Sequence, residues 1–183
     1  MVAIESTLHI NRNWQGRDDR PDLETLIATL DNRDGQARQH ARITLVKMGQ
    51  RAVDALIKTL NNRVGPARWE AAKALSQIGS PKAAQALVKA LEDDEFSVRW
   101  LAAEGLITTG HDGLKPLLEA LQEAPESIRL RAGAHHVLHN LVNRGAVDQA
   151  LLTHLRPVLA ALNDIEPAVA VPPTLVPALK MLK

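Results

Sequence analysis

The residues with the most overt chemistry are three histidines in one short stretch. His135 and His139 stand four apart, a spacing that on a helix puts two imidazoles on one face, within reach of one metal ion. No third or fourth ligand is evident beyond Glu104 and His154, so the expectation is no metal site and ordinary helix histidines, partly buried and hydrogen-bonded. Four arginines, Arg38, Arg68, Arg99 and Arg131, recur at nearly even spacing. Their planar donors could bind phosphate, or they could be saturated by neighbouring turn groups. Trp69 and Trp100 directly follow two of these arginines. A rigid aromatic pair is a common binding hot spot, and the competing reading is that each ring packs flat on a neighbouring helix. There is no Gly-rich phosphate loop, no Ser-centred elbow and no paired carboxylate motif. The expectation is a protein that is not an enzyme and takes no cofactor.

Composition narrows the scaffold that must position these groups. The chain has 183 residues, 45% of them hydrophobic and 23% charged, which fits one globular domain or one short repeat array and excludes disorder. Aromatic residues are only 2%, with no Tyr and one Phe, so the core must be built from Leu, Ala, Val and Ile, and the good helix formers lead. A formal charge of +1 offers no global attraction to nucleic acid or anionic lipid. The absence of Cys excludes disulfides and thiolate chemistry and fits a reducing compartment. Neither a signal peptide at Met1 to Gln15 nor a membrane-length apolar run is evident, and the expected location is cytoplasmic.

A leucine-pair element recurs as Leu26-Ile27, Leu56-Ile57, Leu87-Val88 and Leu117-Leu118, each followed by Leu30, Leu60, Leu91 or Leu121. Arg38, Arg68 and Arg99 then open a second segment with Ala three residues on and Leu seven on: Ala41 and Leu45, Ala71 and Leu75, Ala102 and Leu106. Gly49, Gly79 and Gly110 close these segments at a common offset, where a helix C-terminus favours a residue tolerant of positive φ. Spacings of three, four and seven mark one buried stripe per helix. A single such hairpin cannot bury both its faces, so neighbours must stack. The expected fold is an all-α, right-handed solenoid of about four to five two-helix repeats.

The stretch from Val98-Arg99-Trp100-Leu101-Ala102-Ala103-Glu104-Gly105-Leu106 to Gly110 resembles the second helix of short HEAT repeats, the kind named after phycobilisome lyases. The resemblance covers Asp22 to about Asn143. It implies that the arginines form a structural ladder tying the turns together, near Asp34, Asn62 and Asp94, and that the second helices line the concave surface. It implies fold more than function, since such repeats serve scaffolds, chromophore lyases, hydroxylases and DNA-repair proteins. The hydroxylases bind iron through His-Glu dipeptides, and this chain has none.

In the fourth repeat Arg129 and Arg131 compete for the ladder position. Arg129 would put His136 at a core Leu position, whereas Arg131 makes Leu130, Ala134, Leu138 and Leu141 the stripe at the expense of an insertion near Ala124-Pro125. Turn insertions are tolerated better than a buried His, which favours Arg131. In that register Trp69, Lys73, Trp100, Glu104 and His136 share the concave strip, and Ala132 and Gly133 leave a depression beside Trp100. This strip is the candidate surface for a protein or peptide partner. Alternatives are bilin lyase-like or chaperone-like tetrapyrrole handling, with the tryptophans stacking on the chromophore, and a DNA-binding or repair role that the charge disfavours. The expected layout is an N-terminal extension at 1–20, a repeat domain at 21–163 ending in a capping helix from Ala146 to Leu162 kinked or split at Pro157, and an extended Pro-rich tail at 164–183.

Overall fold

The computed structural model describes residues 22–182, so the expected N-terminal extension lies outside the described residues. The apolar periods become helices in pairs. The first two repeats are α1 (Leu23–Thr29) with α2 (Gly35–Met48) and α3 (Gln50–Thr59) with α4 (Gly65–Ile78). The next two are α5 (Ala84–Ala90) with α6 (Phe96–Thr109) and α7 (Leu114–Glu123) with α8 (Ile128–Asn143). A last pair, α9 (Gln149–Leu162) and α10 (Pro167–Met181), follows, and no strand occurs among the described residues. Side chains cap helix N-termini: Asp22, Asp34, Ser127 and Asp148 each accept from a first-turn N–H. Gly49, Gly79 and Gly110 sit at φ 58°, 64° and 63°, the conformation their C-terminal positions require. Before α5 and α7 the chain makes 3₁₀ turns, Pro81–Ala83 and Gly110–Gly113.

The hairpins stack in two layers. Second helices pack in the order α2, α4, α6, α8, and first helices run alongside, α1 on α3 and α5 on α7, with α3 against the Pro81–Ala83 turn. Between the layers runs one continuous core in which Leu56, Ala71, Leu75, Leu87, Leu91, Ala102 and Leu106 are fully buried and Leu60 nearly so, as the stripe positions require. Leu130, Ala134, Leu138 and Leu141 are buried too. The fourth repeat therefore takes the Arg131 register.

The C-terminal region departs from the sequence expectation. Residues 167–181 are not an extended tail but a helix carrying Pro172, Pro173 and Pro177 in its interior. Its stripe of Val171, Leu175 and Ala178 is buried, while Pro173 and Pro177 face solvent. Carbonyls that lose their amide partner to an outward-facing proline meet water, and burial of the opposite face offsets the remaining penalty. By the same logic α9 runs unbroken through the exposed Pro157, neither split nor the last element of the stack. The closing hairpin is also inverted: α9 packs on α8, extending the second-helix layer, while α10 packs on α7 and extends the first-helix layer.

Candidate partner-binding surface

The arginine ladder settles which groups remain free to bind. Arg38 Nη1 donates to the carbonyls of Asn32 and Arg33, Arg68 Nη1 to those of Asn62 and Arg63, and Arg99 Nη1 to those of Asp93 and Asp94. Arg131 Nη1 repeats the pattern on Pro125 O at 2.5 Å. The Nη1 acceptors are backbone carbonyls of the neighbouring turn, while Asp34 and Asp94 have other tasks. Asp34 caps its own helix and Asp94 pairs with Arg129 at 3.0 Å. The side chains of Asn32, Asn62 and Asp93 instead accept the N–H two residues on, shaping the turn whose carbonyl the arginine then holds.

Two ladder-level ion pairs couple neighbouring repeats. Arg68 forks onto Asp93, at 2.7 and 2.9 Å, from α4 to the next turn. Burial pushes the Asp93 carboxyl up, but the bond from Arg68, the Glu95 N–H and the charges of Arg68 and Arg99 outweigh it and hold the group below the usual carboxylate range. Between α2 and α4, Glu70 is buried and accepts from Arg42 Nε at 2.7 Å, with Arg38 Nε 3.7 Å away. Arg42 also donates to Gln77 at 3.1 Å.

The two tryptophans, equivalent in the repeat, have different surroundings. Trp69 is half-buried against the core and Arg42 lies over its ring, 6.0 Å from the centroid. One repeat on, the residue equivalent to Arg42 is Ala72, too short to cover a ring. Trp100 is accordingly 47% exposed, with His136 against it at 4.5 Å between centroids and Glu104 Oε1 3.0 Å from His136 Nε2. Three of the five expected strip residues thus meet. Trp69 borders a separate hollow with Pro66 and Glu95, and Lys73, half-buried, has no ion pair among the described residues.

The depression expected beside Trp100 is present, about 290 Å³ in volume, with Ala132 and Gly133 in its lining. A Cβ on Gly133 would come within 2.8 Å of Leu91 Cδ2, so this glycine also lets α5 and α8 approach. Glu104 does not line the hollow, but Phe96 and Ile128 do, 68% and 75% exposed, together with Arg99 and Arg129. Sequence reasoning passed over Phe96 and Ile128 and did not place Arg99 or Arg129 at this surface. A signal for Phe96 and Ile128 exists in the repeat pattern: the residue three before each ladder arginine is Gly35, Gly65, Phe96 and Ile128, a change from glycine to large apolar side chains in the last two repeats.

The contacts of the histidine pair lie within α8. The rings of His135 and His139 stack at 5.8 Å, and His139 Nε2 lies 2.8 Å from Asn143 Nδ2. Among the described residues no group of three or more potential ligands is arranged to hold a metal. Burial first, then the neighbouring His139 and His136, pulls the His135 pKa below its ordinary value. Between that lowered value and about 6.5 the unfolded chain binds more protons than the folded one. The contribution of His135 to stability is therefore complete above about pH 6.5 and disappears as pH falls through the folded-state pKa. Thermal melts from pH 7.5 to 5.5 should show a shallower decline for His135→Gln than for wild type, and parallel curves would refute this coupling.

A two-layer stack of helical hairpins tied by ladder arginines is an α-solenoid. The HEAT-repeat family matches residues 23–107, and that part of the chain is similar to HEAT repeats. Among solved structures it is similar to the complex of CpcE and CpcF of phycocyanin lyase from Nostoc sp. PCC7120, at 26% identity and TM-score 0.56 over 83% of this chain and 96% of that one. An engineered protein (19% identity, TM-score 0.45, 88% and 79% covered) and a designed armadillo repeat protein in complex with the peptide (KR)4 (18%, 0.43, 88% and 91%) are also similar. No curated protein sequence matches the chain. No helix among the described residues is long and apolar enough to cross a membrane.

Proposed function

We propose that this chain is a non-catalytic scaffold that binds a protein or peptide on the concave face of its second helices, anchored at Trp100. One observation carries the reading: Phe96, Trp100 and Ile128 are large apolar side chains, all exposed, grouped around one depression on rigid helices. Apolar surface of that kind, rimmed by charge, marks interaction sites in soluble proteins. His136, hydrogen-bonded to Glu104, lies against the Trp100 ring, and Trp69 and Lys73 would extend the strip into the preceding repeat. Likeness to a structure that is itself a complex between two proteins supports it.

Affinity capture from the source cells, followed by calorimetry on the recovered partner, tests this. The Trp69→Ala/Trp100→Ala double variant should keep its helix content while binding weakens by more than ~2 kcal/mol, the hot-spot threshold. Trp100→Ala alone should account for most of that loss, because Trp69 is half-covered by Arg42. Unchanged affinity in the double variant would sink the reading.

The same likeness favours a second reading, tetrapyrrole handling, with Trp100 stacking on the chromophore. A hollow of about 290 Å³ is at the lower edge of small-molecule pockets, roughly 300–1,000 Å³, so a bilin would lie across it rather than inside. Mixing with bilin and finding a shifted visible band that Trp100→Ala abolishes would favour this reading over the first.

A further inference from the structure

Resting on the scaffold reading, we infer the chemistry of the partner: a peptide segment in which an acidic residue stands beside a bulky apolar one. The apolar side chain occupies the depression between Phe96, Trp100 and Ile128, and the carboxylate meets Arg99 and Arg129.

The composition of the lining carries the inference. Arg99 and Arg129 line the hollow and no carboxylate does; the nearby Asp94 and Glu104 stand outside the lining, 3.0 Å from Arg129 and from His136 respectively. Both arginines are pre-positioned, since each fastens Nη1 to the third-repeat turn, Arg99 to the carbonyls of Asp93 and Asp94 and Arg129 to Glu92 O and the Asp94 side chain. Their Nε and Nη2 groups have no hydrogen-bond partner among the described residues, so donor hydrogens remain for a carboxylate in the planar geometry guanidinium favours. Stacking adds rigidity, because the Arg99 guanidinium lies 5.5 Å from the Phe96 ring centroid. The Asp94 carboxylate beside Arg129 does not fill this role. Its side chain is 91% exposed, and an ion pair in that setting contributes little. An incoming carboxylate delivered next to an apolar side chain would be partly desolvated and so held more firmly. A basic segment would meet two like charges at the rim, which costs affinity and gives the site its sign.

The test is selection of random peptides displayed on phage against the intact protein, followed by affinity measurements on the synthetic winners. Winners that need Trp100 should carry Asp or Glu adjacent to Phe, Leu, Ile or Trp. Their affinity should fall about tenfold or more in Arg129→Gln and weaken as salt rises. In Arg129→Glu, selection should shift towards Lys or Arg at the same position. Winners that lose binding in Trp100→Ala yet show no acidic preference, or are indifferent to Arg129→Gln, would overturn this inference and leave the scaffold reading standing. A selection in which no peptide depends on Trp100 would overturn both. Circular dichroism on each variant confirms an intact fold, which these exposed positions favour.

Discussion

Glu70→Ala should destabilise the protein by about 3–5 kcal/mol, the range for removing one partner of a buried ion pair. Glu70 and Arg42 keep only 6% and 11% of their side chains exposed, and Arg38 Nε, already without a hydrogen bond, faces the same carboxylate. Without Glu70 the Arg42 guanidinium retains only Gln77 as a hydrogen-bond partner among the described residues. The companion variant Glu70→Leu/Arg42→Met should recover part of that loss, because it removes the Glu70–Arg42 pair and its desolvation together and leaves only Arg38 without the carboxylate. Urea unfolding with an unchanged m-value would measure both. A loss below about 1 kcal/mol in Glu70→Ala would mean that water reaches the cluster.

Leu106→Ala and Leu75→Ala should each cost about 2–5 kcal/mol. Both leucines are fully buried at equivalent points of α6 and α4, between the helix layers. Gly105 lets Leu87 sit against the α6 backbone, where even a Cβ would come within 2.9 Å of Leu87 Cδ1. Packing that close leaves little room to collapse into a cavity, which places Leu106 towards the upper end of the range. Repeat arrays transmit such a loss through nearest-neighbour interfaces, so a split into two denaturant transitions would indicate uncoupling at the third repeat. A change under half a kcal/mol would contradict the burial.

The repeat, the buried stripes, the positive-φ glycines and the Arg131 register follow from sequence alone. Each rests on local pattern: a period of 3.6 selects one face, and only glycine takes φ near 60° without strain. Three features needed the tertiary structure. Helix α10 forms despite three interior prolines because α7 and α9 bury its Val171, Leu175 and Ala178 face, an energy no propensity contains. Trp69 and Trp100 look alike along the chain, but an arginine from the preceding repeat covers one ring and an alanine leaves the other open. The proposed binding surface extends to Phe96, Ile128 and Arg129, which are distant from one another in sequence or lie outside the core pattern. Stacking α6 against α8 brings them around one hollow, because which surface stays uncovered depends on neighbours that the local pattern of any one helix does not contain.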